Sequence, residues 1–164
     1  GLQRFATVKQ KSNSKQMTMT RTETITQLRA FFDVSELVCP HTFARFGEQS
    51  WQFFDTATLN TLLVLRREIL RVPLIINNGE STQRGLRCNL CSIVKGQKKQ
   101  YLSAHLMGKG FDVVSNEMTA QEMRDKIFEN ADKLPVPIRI EDGVSWLHFD
   151  TFDPSNGNNK VTFF

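Results

Sequence analysis

SAHLMGKGFD, residues Ser103 to Asp112, and WLHFD, residues Trp146 to Asp150, are the stretches on which the reading of this chain turns. Together they hold two of its three histidines, His105 and His148, and two carboxylates, Asp112 and Asp150. The flanking residues put all four in strands or at strand edges. Gly108 and Gly110 let the backbone turn tightly between His105 and Asp112 with no Cβ in the way. That segment is expected to be a loop folding back onto its own strand.

The second stretch follows Glu141-Asp142-Gly143-Val144, whose Asp-Gly pair favours a two-residue type I′ hairpin turn. Pro137 to Glu141 is therefore expected to pair antiparallel with Val144 to Asp150. Side chains alternate along a strand, so Val144, Trp146, His148 and Asp150 share one face, while Ser145, Leu147 and Phe149 take the other. In that register Arg139 stands opposite Trp146, within reach of a cation–π contact beside His148.

Two imidazoles and a carboxylate are a catalytic zinc ligand set. Such a Zn²⁺ takes three protein ligands, with His nitrogens at about 2.0–2.1 Å and carboxylate oxygens at about 2.0–2.2 Å, and keeps one position open. His105, Asp112 and His148 would supply it. The bland alternative is two hydrogen-bonded core histidines and a solvated aspartate. Both motifs in this order, with the glycines and Trp146 in place, weigh towards metal.

SxHxxGxxxD followed by WxHxD resembles the zinc D-alanyl-D-alanine peptidase family, which includes cell-wall carboxypeptidases, D-Ala-D-Ala dipeptidases and phage L-alanyl-D-glutamate endolysins. The resemblance runs from about Leu37 to Phe152 and implies His105, Asp112 and His148 as zinc ligands, with Ser103 and Gly108 completing the first motif. It also implies an arginine upstream of SxH that binds substrate or stabilises an oxyanion. Arg87 in GLRCN looks like its counterpart, and Arg84 competes for the role. Ser103, Trp146 and Arg139 are the further substrate-side candidates. Several relatives place a glutamate base three residues before the last histidine, where this chain has Ser145. Two carboxylates are substitute candidates. Glu141 lies on the His148 face but, in the expected register, about 13 Å away at about 3.3 Å per residue. Asp150 is nearer, yet an aspartate there is better suited to holding a ligand histidine from behind.

Outward from these motifs, the chain reads as a basic, polar and partly helical extension over residues 1–34 and a peptidase-like domain over 35–164. Ile25, Leu28, Phe31 and Phe32 are weakly helical. Trp51, Phe53 and Phe54 are expected core anchors. Asp55 or Thr58 caps a core helix to about Arg71, stopped by Pro73, and Leu74-Ile75-Ile76 is expected to be a short central strand. Residues 80–100 form an irregular loop carrying Arg84, Arg87 and the CxxC, and long loops in compact domains are usually functional. Gly110 to Val114 is the strand of Asp112. Thr119 and Glu122 form a capping box for a helix to about Asp132 with Met123, Ile127 and Ala131 inward. Val161 to Phe164 is a candidate edge strand. The expected class is α+β, with helices to one side of an antiparallel sheet that carries the metal site, and the resemblance implies the Hedgehog/DD-peptidase fold.

With 164 residues the chain can bury about two-thirds of its unfolded surface and fold without staples. Thirteen phenylalanines against one tyrosine point to an aromatic core. No apolar run approaches the ~20 residues of a membrane helix, and no signal peptide is visible. The net charge of +4, much of it from the first thirty residues, favours a polyanion without choosing one. No RNA-binding aromatic signature or helix-turn-helix is present, so no nucleic-acid partner is expected.

Cys39-x-His41 and Cys88-x-x-Cys91 together offer four ligands for a second, structural zinc. Three lone thiols, or one disulfide, would use the same residues, and the odd number argues against a disulfide framework. The resemblance implies a zinc peptidase acting on peptidoglycan stem peptides, with D-Ala-D-Ala carboxypeptidase cleavage favoured over L-Ala-D-Glu endopeptidase cleavage, and a monomer is expected. It would work in the bacterial periplasm or envelope, or be phage-encoded and released at lysis. A catalytically silent, zinc-stabilised binding or structural module of the same fold is the alternative. A zinc-ribbon nucleic-acid binder would leave both histidine motifs unexplained.

Overall fold

A computed structural model describes residues 19–154, 157 and 159–164. Residues 1–18 of the basic extension, and Ser155, Asn156 and Asn158 of the expected loop before the last strand, lie outside that set. The described residues fold as a mixed α and β domain. Its helices are α1 (Arg21–Leu28), α2 (Pro40–Phe46), α3 (Thr56–Val64), α4 (Ser92–Lys95) and α5 (Ala120–Glu129). Its strands are β1 (Gly110–Val113), β2 (Ile138–Ile140), β3 (Leu147–Asp150) and β4 (Val161–Phe163). None of these helices is long and apolar enough to cross a membrane.

The sheet order is β1-β3-β2-β4. β3 pairs antiparallel with β1 and β2, whereas β4 runs parallel to β2. The sheet is therefore mixed, not wholly antiparallel as expected. β4 lies on the far edge, beyond β2, and runs antiparallel to β3, which makes it parallel to the strand between them. The expected central strand at Leu74–Ile76 is reduced to a single antiparallel bridge between Ile75 and Val114, beyond β1.

The hairpin register differs from expectation as well. Arg139 stands opposite Asp150, and Ile140 opposite Phe149. The Asp-Gly pair does not close a two-residue turn, and the connection runs through Trp146 in a wider loop. Arg124, which is buried, donates from Nη1 to the carbonyls of Val144 and Trp146, both at 3.1 Å, and holds that loop open. The slip is four residues, an even number, so each side chain keeps its face.

One face of the sheet is apolar. Phe111, Val113, Ile138, Ile140, Leu147 and Phe149 are all fully buried. They join Leu59, Leu62 and Leu63 of α3 and Met123 and Ile127 of α5 in one cluster. Phe54 stacks on Phe111 at 5.2 Å, and Trp51 is buried beside the same core. The expected long helix is α3, continued through a π-helical turn, Leu65–Ile69, and closed before Pro73 by Arg71 at φ +58°. A capping box of Thr20 and Glu23 starts α1, whose Leu28, with Phe32 beyond it, enters the main core. The other face of the sheet carries Asp112, Arg139, His148 and Asp150.

Candidate metal centre

His105 reaches Asp112 through a tight turn. It lies in that turn, not in a strand as expected: Leu106 N donates to Ser103 O at 3.0 Å, and Met107 N and Lys109 N donate to Ala104 O at 3.2 and 2.9 Å. Ser103 Oγ accepts from His105 N at 3.2 Å and helps shape it. Gly108 sits at φ +66°, and a Cβ there would stand 2.0 Å from the Phe53 carbonyl oxygen, so only glycine closes this turn. Gly110 opens β1 and makes room instead, since its Cβ would crowd Ala104 Cβ at 2.9 Å and His148 Cε1 at 3.5 Å. Asp112 and His148 are direct partners across β1 and β3.

The potential ligand atoms of His105, Asp112 and His148 lie within 4.8 Å of one another. His105 Nε2 is 3.3 Å from Asp112 Oδ2, and His148 Nδ1 is 2.8 Å from Asp112 Oδ1. Each imidazole is also held from behind. His105 Nδ1 lies 2.9 Å from the Gly85 carbonyl oxygen, which can only accept, so Nδ1 carries a proton and Nε2 is the nitrogen turned towards Asp112. His148 Nε2 donates to Asp150 Oδ2 at 2.8 Å. Asp150 is fully buried and gripped by Arg139, Nε to Oδ1 at 2.8 Å and Nη2 to Oδ2 at 2.9 Å. Acceptors behind both rings fix tautomer and orientation as metal-ligating histidines require. These residues fit a metal ion bound by His105 Nε2, His148 Nδ1 and Asp112.

Without a cation, protons do the same electrostatic work. Burial disfavours the charged form of His148, but its bonds to Asp112 and Asp150 outweigh that and raise it to about 9. Burial likewise opposes the charge on Asp112 and Asp150. Bonds from His105 and His148 hold Asp112 well below the carboxylate range, and bonds from His148 and Arg139 hold Asp150 down. His148 is then an imidazolium between two carboxylates, and its Nδ1 proton, shared with Asp112, takes the place of a divalent ion.

Of the two candidate arginines, Arg87 is the one brought to the centre. Its Nη2 is 3.3 Å from Asp112 Oδ2, its Nη1 donates to Tyr101 Oη at 2.8 Å and its Nε to Gln83 O at 2.6 Å. Arg84 Nη1 donates to the Ile76 carbonyl at 3.3 Å. Arg139 stands opposite Asp150 and not Trp146, and its guanidinium lies over Phe164 at 4.3 Å and Phe152 at 5.4 Å. The register that moves Arg139 brings Glu141 across from His148, with Glu141 N donating to His148 O at 3.2 Å. The expected separation of about 13 Å is thereby overturned.

Two adjoining cavities open on the centre, of about 310 and 450 Å³, and share Arg87, Asp112 and Trp146. His105, Glu141 and His148 line the smaller, while Arg84 and Ser145 line the larger. Sequence reasoning missed Gly85, Tyr101 and Phe164. Tyr101 had a signal, being the sole tyrosine beside thirteen phenylalanines, and it spends its hydroxyl on Arg87. Gly85 had none.

The second candidate cluster also assembles. Cys39, His41, Cys88 and Cys91 bring their ligand atoms within 4.8 Å of one another, and all three thiols are free of disulfides. Burial raises both Cys39 and Cys91. Bonds to Thr42 and His41 reverse the shift at Cys39, whereas the neighbouring Cys39 and Cys88 push Cys91 further up.

No family model matches the chain, and neither a curated protein nor a solved structure matches it.

Proposed function

We propose that this protein is a zinc-dependent peptidase acting on peptidoglycan stem peptides, on a scaffold of the Hedgehog/DD-peptidase type. The observation that carries the reading is the convergence of His105 Nε2, His148 Nδ1 and Asp112 at an open cleft, with both rings held from behind. Zn²⁺ held by these three residues would supply Lewis acidity, polarising a carbonyl and lowering the pKa of water towards about 7.

The chain's own side chains divide the remaining work. Glu141, in the smaller cavity and directly across from His148, is the general base that takes a proton from water. Asp150 is not that base, because Arg139, His148 and Phe152 N occupy both its oxygens. It is a positioning residue for His148, and Arg139 positions Asp150. Arg87 borders both cavities and faces the developing oxyanion. Trp146 forms a wall shared by both halves of the cleft. Arg84 and Arg87 in one cavity suit a terminal carboxylate, since a guanidinium binds both oxygens at once. That favours carboxypeptidase cleavage at D-Ala-D-Ala over L-Ala-D-Glu endopeptidase cleavage.

Metal analysis and hydrolysis of purified peptidoglycan, for wild type, His148→Ala and Glu141→Gln, test the reading together. The wild type is expected to bind zinc through His148 and release D-alanine. Glu141→Gln should keep its zinc and lose about 10²–10⁴-fold in rate. Zinc bound through His148 with no cleavage would mark a silent, zinc-stabilised module of the same fold. Zinc content indifferent to His148→Ala would reject the centre.

A further inference from the structure

Cys39, His41, Cys88 and Cys91 take no part in the reaction proposed above. Cys39 and His41 stand at the start of α2, and Cys88 and Cys91 in the turn that leads into α4. Backbone pairing brings the two segments together: Cys39 N donates to Leu86 O at 2.9 Å, and Leu86 N to Leu37 O at 2.8 Å. Gly85 permits this approach, because a Cβ on it would stand 1.9 Å from Leu37 O.

The spacing within the cluster is that of a coordination shell. His41 Nδ1 lies 3.7 Å from Cys88 Sγ and 3.9 Å from Cys91 Sγ. A tetrahedral site with zinc–sulfur bonds of about 2.3 Å and zinc–nitrogen bonds of about 2.0–2.1 Å has nitrogen–sulfur edges of about 3.5–3.6 Å, a few tenths of an ångström inside these distances, and sulfur–sulfur edges of about 3.8 Å. The CxxC turn is shaped for thiolates as well. Cys88 N points at Cys91 Sγ and Leu90 N at Cys88 Sγ, each at 3.4 Å. Packing alone explains Cys39 and Cys91, which are buried, but not an exposed histidine whose Nδ1 turns inward onto two sulfurs.

We propose that these four residues bind a second zinc ion whose role is structural. Three sulfurs and one nitrogen leave no open position, as in closed structural sites, and soft thiolates select zinc over magnesium or calcium. The ion would join segments 47 residues apart in sequence, His41 to Cys88. Arg87 is the residue next to Cys88, and its backbone N donates to His105 O at 3.1 Å. The second zinc therefore anchors the loop that presents Arg87 to Asp112. This site does not depend on the peptidase reading, and the two fail separately.

The test is zinc content of the full chain, purified under reducing conditions, for wild type, His41→Ala, Cys88→Ser and His148→Ala. About two equivalents are expected in the wild type and about one in each variant, with His41→Ala and His148→Ala losing different ions. His41 is exposed, so its removal should not unfold a chain that binds no metal there. Cobalt substitution gives an independent readout, since thiolate-to-cobalt charge transfer should appear in the wild type and in His148→Ala. It should weaken in Cys88→Ser. One zinc in the wild type, lost only in His148→Ala, with Cys88 reacting freely with a thiol reagent and no charge-transfer band, would overturn the proposal.

Discussion

His148 has a carboxylate at each ring nitrogen, Asp112 at Nδ1 and Asp150 at Nε2, both at 2.8 Å. Only one of these positions can be given to a metal, and the Arg139 grip on Asp150 decides which. Asp150→Asn should lower zinc affinity by about 10–100-fold, measured by chelator competition, because it removes the charged acceptor that orients the ring. The same arrangement sets a pH dependence. In chelator, the folded His148 titrates at about 9 against an ordinary 6.5. A raised folded pKa gives stability that is complete below the unfolded value and lost as pH rises through the folded one. The difference in urea midpoint between wild type and His148→Gln should therefore shrink from about pH 6.5 to about pH 9. Taking that difference removes the contribution of Cys39, whose lowered pKa acts in the opposite sense. With zinc present the trend should reverse, because the ion competes with the Nδ1 proton.

Two short elements carry the histidines to the site, and each rests on a feature that can be broken alone. The turn after Ser103 depends on Gly108. Gly108→Ala combines a left-handed backbone with a 2.0 Å clash on Phe53 O, and should cost about 2–4 kcal/mol in denaturant unfolding and weaken zinc binding. Helix α5 starts on the capping box of Thr119 and Glu122 and packs Met123 and Ile127 beneath β3. Thr119→Ala should cost about 0.5–2 kcal/mol while leaving zinc content unchanged, since the cap is exposed and its bonds are local ones with Glu122. That contrast separates general destabilisation from damage to the centre. The capping box was legible as a T-x-x-E spacing, because it is a local hydrogen-bond exchange. The width of the β2–β3 connection was not, because Arg124, a helix residue twenty positions upstream of Val144, holds it open.

At the scale of the whole molecule, α1 shares the core of the sheet domain. Phe32, just beyond it, is 3% exposed and belongs to the same cluster as Phe111 and Phe149. Phe32→Ala should therefore cost about 3–5 kcal/mol in global unfolding, as for a large core residue and not for a tethered arm.

What the sequence determined by itself is what local spacing and alternation encode. The face shared by His148 and Asp150, the strand of Asp112 and the α5 cap all follow from short-range geometry, whereas the meeting of Cys39 and His41 with the CxxC needs segments 47 residues apart to be paired. The tertiary structure decided the rest. It ran β4 parallel to β2, reduced Leu74–Ile76 to one bridge, slid the β2–β3 register by four residues and so traded Trp146 for Asp150 as the partner of Arg139. The same slip set Glu141 across from His148. Register depends on how long the loop can be before another element stops it, and that element, α5 with Arg124, is distant in sequence. An even slip leaves the alternation of buried and exposed residues unchanged, so no pattern in the sequence distinguished the two registers.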